Sequence, residues 1–408
     1  MSLVIHGLGT AHPPDAVTAA DGLRLARHLA GPDVRTSTWL GPVYAHSGVG
    51  RRYQVIGGPV VRDVLAGTTE SGSPFLPTPA NDGVGPTTAE RMRVYADEAG
   101  PLALRAAAAA VAESGFAPDS FTHLVTVSCT GFAAPGVDLA LIRGLGLRPT
   151  VERTHVGFMG CHGALNGLRV ANAFAAADPA ARVLVCSVEL CSLHYYYGSA
   201  ADKLVANAIF ADGAAALVGC GTERPLPPAP SPGEGGGDGR QVARPPSPPL
   251  SVGEGAGGWG LPGRGVGSSW RVAATGSCLI PDSAADMAWT VGDRGFEMTL
   301  SRRVPGLIAG AVRPWLTGWL GDNGLSLADV GSWAVHPGGP KILSAVEEGL
   351  DLPADALAAS RGVFADYGNM SSPTVLFVLD RLRRADAPRP CVALGFGPGL
   401  VAEAVLFR

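Results

Sequence analysis

Two kinds of apolar run alternate along the chain. Short runs rich in valine and leucine, closed off by turn-forming residues, predict buried strands at 122–127, at 182–190 (RVLVCSVEL) and at 214–218 after the ADG turn. In the second half 333–335, 392–395 and 404–407 have the same character. Longer runs rich in alanine and leucine predict helices over 101–114, 163–177 and 372–384. Strands alternating with helices on this scale predict an α/β fold. Both halves carry similar elements, although no internal repeat is strong enough to prove a duplication.

The pattern breaks once. From 222 to 268 the chain runs through RPLPPAPSPGEGGGDGR and RPPSPPLSVGEGAGGWGLPGRG, with too few apolar residues to build a core. This predicts a mobile Pro/Gly-rich insertion between a first half, 1–221, and a second half, 269–408. A length of 408 residues also exceeds what a single growing core accommodates, which favours two core-forming halves.

Composition narrows the partners. With 46% hydrophobic and 16% charged residues the chain suits a compact, deeply buried protein. A net charge of -4 offers no electrostatic capture of nucleic acid or of an anionic membrane, so small-molecule partners are expected. The N-terminal MSLVIHGLGTAHPPDAV lacks the basic start and apolar stretch of a signal peptide, and no apolar run reaches membrane-spanning length uninterrupted, so a cytoplasmic protein is expected. Seven cysteines, at 129, 161, 186, 191, 220, 278 and 391, form no C-x-x-C pair, which argues against a disulfide framework or a zinc site.

Three segments could carry chemistry. In VGFMGCHGALNGLR, Cys161 stands where an apolar run meets a helix, among glycines that permit a tight turn. A helix N-terminus stabilises a thiolate by roughly 0.3–2 kcal/mol, about one pKa unit, so a cationic partner such as an imidazolium is also needed. His336, the sole histidine of the second half, ends a strand at the turn of WAVHPGGPKIL, where backbone amides could line a thioester or phosphate site. Asn369 lies in DYGNMSSPTVLFVLD just before a helix. Taken singly, each has a plain structural reading: a small buried hydrophobe, a satisfied histidine and a helix N-cap.

Taken together they resemble the type III polyketide synthases, the chalcone and stilbene synthase family of the thiolase superfamily, in a bacterial-like form. GLGTAHPP, GCHGALNGLR, NAIFADGAAAL, IPDS, HPGGPKIL, YGNMSSPTVLFVLD and GFGPGL occur in the family's order and cover most of the chain outside the insertion. The resemblance implies a five-layered αβαβα thiolase-like fold, a homodimer, and a catalytic triad of Cys161, His336 and Asn369. It implies acyl-CoA and malonyl-CoA as substrates, with neither metal nor nicotinamide. Phe210 matches the gatekeeper between CoA tunnel and cavity. Thr130, Cys191, His194, Met287, Trp289 and Met298 are implied to line that cavity, with Gly395, Phe396, Gly397 and Pro398 of GFGPG. Arg51, Arg52 and Lys341, with Gly338 and Gly339, are implied to meet CoA.

Cys191 and His194 replace threonines of the plant enzymes, and Trp289 and Met298 replace a glycine and a phenylalanine. These departures point away from an aromatic starter and toward long acyl starters giving alkylpyrones or alkylresorcinols. Degradative thiolases place a second cysteine near the C-terminus in a Gly-rich context, and ketoacyl synthases follow their histidine with Gln-Ala-Asn; neither wording occurs here. A ketoacyl synthase-like condensing enzyme, an acyl-CoA thioesterase using the same Cys-His pair, and a non-catalytic scaffold are the competing readings.

Overall fold

A computed structural model describes residues 2–30, 34–76, 84–198, 200–221 and 270–408. The Pro/Gly-rich insertion lies outside the described residues.

A five-stranded sheet built from the first half runs in the spatial order Val4–Ala11, Asp212–Cys220, Arg182–Leu190, His123–Ser128, Glu152–Gly157. The first two pairings are antiparallel and the last two parallel. The second half contributes a four-stranded sheet, Ser332–Val335, Cys391–Gly397, Val401–Phe407, Val272–Leu279, parallel at the first pairing and antiparallel at the others.

The central strands of both sheets are buried on both faces, which is why they read as near-continuous hydrophobic runs, while the outer strands Glu152–Gly157 and Val272–Leu279 keep exposed positions. Along Arg182–Leu190, Leu184, Cys186 and Val188 point outward to the helix Thr88–Ser114, while Val183 and Val185 point inward. The inward face packs on the helices Gly163–Ala177 and Thr374–Arg384, and these in turn meet Ala334, Cys391, Ala393, Val405 and Phe407 of the second sheet. The far face of that sheet, with Trp333, Val335, Val392 and Leu394, is covered by the helices Val304–Asp322 and Pro340–Leu350. Helix, sheet, helices, sheet, helices: this is the five-layered αβαβα arrangement, and the two middle helices are buried between the sheets.

The strand Arg182–Leu190 and the helix Gly163–Ala177 have the bounds their periodicity predicts. The helix expected to open at Pro101 begins instead at Thr88 and runs through the proline. Its start is set by a capping box, Thr87 taking the Glu90 N–H while the Glu90 side chain takes the Thr87 N–H. Packing of Tyr95, Leu102, Ala103, Ala106 and Ala110 on the sheet outweighs the cost of an interior proline, about 3 kcal/mol.

Candidate active site

The strand Glu152–Gly157 ends in a turn that two left-handed residues bend sharply, Phe158 at φ 58° and Gly160 at φ 70°. A Cβ on Gly160 would lie 2.3 Å from Pro398 Cδ, so the close approach of the 395–400 loop requires a glycine there. The turn places Cys161 in a single 3-10 turn, Gly160–His162, directly before the buried helix Gly163–Ala177. His336 follows the strand Ser332–Val335 and is held by its own N–H, which donates to Leu394 O at 2.8 Å.

Asn369 is not a helix N-cap. Pro373 occupies that position, and the helix opens at Thr374 rather than Ser372. The backbone of Asn369 instead joins the halves: its N–H donates to Ile209 O and its carbonyl accepts from Ala211 N, each at 2.8 Å. Its Oδ1 accepts from Ser371 N at 2.8 Å, and its Nδ2 donates to Gly338 O at 3.4 Å. The His336 ring lies beside Gly338, where an added Cβ would meet its Cδ2 at 3.8 Å. On the other side, Ser371 Oγ donates to Cys161 Sγ at 3.6 Å and Asn369 reaches the same sulfur. Cys161, Asn369 and His336, from three distant segments, are thereby brought to one place.

Burial pushes the Cys161 thiol up to about 11, the Glu189 carboxylate adds to the rise, and hydrogen bonds from Ser371 and Asn369 oppose it. Burial pushes His336 down to about 3, with a further contribution from neighbouring His162. Among the described residues neither ring nitrogen of His336 has a hydrogen-bond partner, although the residue is 1% exposed. Thiol and imidazole therefore both rest neutral, with no hydrogen bond between them. A buried ring with two open valences is costly to keep and is satisfied when a substrate or the thiol proton meets it.

Cys161 opens on a small cavity of about 40 Å³, walled by Cys129, Thr130, Met287 and Pro398 among others. Next to it lies a larger cavity of about 280 Å³. Cys191, Phe210, Trp289 and Met298 form walls of both, so they are the partition between them. Phe210 is anchored through its carbonyl, which accepts from Arg52 Nη1 at 3.2 Å and Gln54 Nε2 at 3.4 Å. Trp289 is anchored by its Nε1–H on Cys129 O at 3.0 Å.

Several expected roles change. Arg52 is 2% exposed, and its guanidinium is consumed by Asn207 O, Phe210 O and Tyr195 Oη, so it braces the partition and does not meet CoA. Arg51 and Lys341 are exposed. The Gly338 N–H bonds back to His336 O at 3.0 Å and is not free for a thioester or phosphate; Gly339 stands at φ 157° as the residue before the helix Pro340–Leu350. His194 walls the larger cavity, yet both its nitrogens are committed: Nε2 donates to Thr130 O at 2.6 Å and Nδ1 accepts from Phe296 N at 2.9 Å. Its ring stacks on Phe296 at 4.2 Å, and burial lowers its pKa to about 3, so it shapes the cavity as a fixed neutral ring. In GFGPG, Gly395 and Gly397 abut His162 and Phe396 sits in the core, leaving Pro398 as the residue on the cavity wall.

Sequence reasoning missed Glu189, fully buried behind the site. It takes hydrogen bonds from Cys129 N, Thr130 N and Oγ1 and Ser372 Oγ, and so fixes the floor around Cys161. Its signal was a lone acid inside the apolar run RVLVCSVEL. Ser371 and Cys129 were also missed; Ser371 sits within the GNMSS motif, and Cys129 carried no local mark.

Comparison with known proteins places these elements in context. Residues 78–222 match the family model for chalcone and stilbene synthases, N-terminal domain, and residues 271–408 match that for the C-terminal domain. The alpha-pyrone synthesis polyketide synthase-like Pks18 of Mycobacterium tuberculosis is 33% identical over 327 residues, 79% of this chain and 73% of that one. The 1,3,6,8-tetrahydroxynaphthalene synthase of Streptomyces peucetius subsp. caesius is 34% identical over 310 residues, 75% of this chain and 72% of that one. The crystal structure of PKS-I from the brown alga Ectocarpus siliculosus superposes with a TM-score of 0.82 at 30% identity, covering 100% of this chain and 98% of that one. The C-terminal type III polyketide synthase domain of Steely1 from Dictyostelium shares the fold, with a TM-score of 0.80 at 23% identity.

Proposed function

Because the chain belongs to the chalcone and stilbene synthase family and is a type III polyketide synthase, we propose that Cys161 is its acyl-accepting nucleophile and that His336 and Asn369 serve both half-reactions. The single observation that carries the assignment is convergence: Asn369 reaches the Cys161 sulfur and bonds Gly338, beside the His336 ring, whose nitrogens have no partner among the described residues.

In the loading step the Cys161 thiol passes its proton to His336. The sulfur then attacks the starter thioester, and CoA departs as a thiol after regaining a proton from the imidazolium. In the extension step malonyl-CoA loses carbon dioxide, and the electron pair left behind forms an enolate at the thioester oxygen. Donors from Asn369 and His336 meet that oxygen; one such donor is worth a factor of about a hundred to a thousand in rate. The enolate carbon attacks the Cys161 acyl carbon, the thiolate leaves, and the chain is two carbons longer. Repeated extension and ring closure give a pyrone or resorcinol-type product. The steps balance with CoA thioesters alone, and no further cofactor is invoked.

The starter's tail runs from Cys161 between Phe210, Cys191, Trp289 and Met298 toward the 280 Å³ cavity. The alpha-pyrone synthesis for which the mycobacterial relative is named supports an α-pyrone product. Arg51 and Lys341, both exposed, are the cations left to meet CoA phosphates. A homodimer belongs to the same reading; the exposed Phe132, Phe158 and Met159 support an apolar contact face near the site. No helix among the described residues is long and apolar enough to cross a membrane, which fits the cytoplasmic location we infer.

The test is mass spectrometry of products from malonyl-CoA and a panel of short, aromatic and long acyl-CoA starters, with Cys161→Ala in parallel. Pyrone or resorcinol masses that need both substrates and vanish in the variant support the assignment. Free acids formed without malonyl-CoA would replace it with a thioesterase, and products that survive the substitution would remove Cys161 from the chemistry.

A further inference from the structure

Three of the free cysteines, Cys129, Cys161 and Cys191, wall the small cavity, and the condensation uses only one. Cys129 directly follows the strand His123–Ser128 and its backbone is pinned on both sides: its N–H donates to Glu189 Oε2 at 2.9 Å and its carbonyl accepts from Trp289. Its thiol is held only by hydrogen bonds, to the Glu189 carboxylate and to Ser371. The sulfur touches Ser371 Oγ at 3.4 Å, and the same hydroxyl lies 3.6 Å from Cys161 Sγ. One oxygen atom thus bridges two thiols, whose sulfurs lie within about 7 Å of each other across the cavity.

We propose that Cys129 is a resolving thiol for Cys161. Cys161 is half-buried whereas Cys129 and Cys191 are buried, so a small oxidant meets Cys161 first. Hydrogen peroxide converts the Cys161 thiol to a sulfenic acid with release of water. The Cys129 sulfur then attacks the sulfenic sulfur; hydroxide leaves, takes the Cys129 proton and departs as a second water, and a disulfide remains. Two thiols are oxidised and one peroxide is reduced. Closing the bond to about 2.05 Å requires rotation of both side chains with Ser371 moving aside, and a dithiol reductant reverses it. The disulfide inactivates the nucleophile reversibly and shields it from sulfinic acid, which thiols do not rescue.

The proposal rests on Cys161 being the reactive thiol, and the peptide map that decides it does not depend on polyketide synthesis. The purified full-length protein is treated with hydrogen peroxide, its free thiols are capped, and unreduced peptides are identified by mass. The expected result is a Cys129–Cys161 cross-linked peptide, and return of most activity after dithiothreitol. In Cys129→Ser the cross-link is absent and Cys161 accumulates as sulfinic acid. The share of that variant's own unoxidised activity regained with dithiothreitol then falls at least about fivefold below wild type. Absence of the cross-link in wild type, a Cys161–Cys191 cross-link in its place, or equal recovery in the two proteins overturns the proposal. The wild-type peptide map decides the matter even if Cys129→Ser does not fold. A cross-link in a protein that makes no polyketide refutes the proposed function and leaves this one standing.

Discussion

Replacing His336 by glutamine separates what the protein matrix does to Cys161 from what the imidazole does. While no hydrogen bond joins it to His336, the thiol stands at about 11, chiefly because its surroundings are stripped of water. At pH 8 such a thiol is ionised in about one molecule in a thousand, and its reaction with an electrophile gains about tenfold per pH unit up to that value. An imidazole that accepts the proton changes the balance, since Cys-His pairs hold their thiolates with pKa values of roughly 3–7.5. Among the described residues both ring nitrogens of His336 are open for this, so a hydrogen bond between ring and thiol completes the pair. Wild type is therefore expected to react near its plateau at pH 8, and His336→Gln about a thousandfold more slowly, with a rate still climbing at alkaline pH. The assay is the rate of iodoacetamide inactivation from about pH 6 to about pH 10, with alkylation of the Cys161 peptide followed by mass. A variant that reacts as fast as wild type at pH 8 would refute the reasoning, because the matrix alone would then be stabilising the thiolate.

Asn369→Ala removes the side chain that reaches both the sulfur and Gly338; decarboxylation of malonyl-CoA, followed by carbon dioxide release, should fall about a hundred- to a thousand-fold with loading less affected. Glu189→Gln places an amide donor among the N–H and hydroxyl donors of Cys129, Thr130 and Ser372, and should lower stability by about 2–3 kcal/mol in a denaturant melt. Gly160→Ala forces a left-handed backbone on alanine and a methyl group onto Pro398, so a loss of about 1–3 kcal/mol is expected along with a displaced Cys161 loop. Asp63 accepts from Thr68, Glu70 and Ser71, and these bonds hold its carboxyl down at about 2, against an ordinary 3.8. The sign follows: its contribution is complete above pH 3.8 and is lost as pH falls through about 2, so wild type should exceed Asp63→Asn in stability at neutral pH and converge with it in strong acid.

Much of the molecule is legible in its sequence. The strand Arg182–Leu190 and the helix Gly163–Ala177 follow from periodicity over neighbouring residues, because a buried strand and a helix in a layered fold each need a local repeat of apolar positions. The three residues proposed as a triad are legible as residue types in a family's order. Which groups are left free to act is not. Arg52 looks like an exposed cation beside Arg51, yet folding delivers Asn207, Phe210 and Tyr195 to its guanidinium. Asn369 looks like a helix cap, yet it pairs with the backbone around Phe210 and points at Cys161. His194 looks like a cavity ligand, yet Thr130 and Phe296 occupy both of its nitrogens. The physical reason is the same in each case: secondary structure is written in neighbours a few positions apart, whereas the spare valence of a buried polar group depends on partners that arrive from distant parts of the chain only when the layers close.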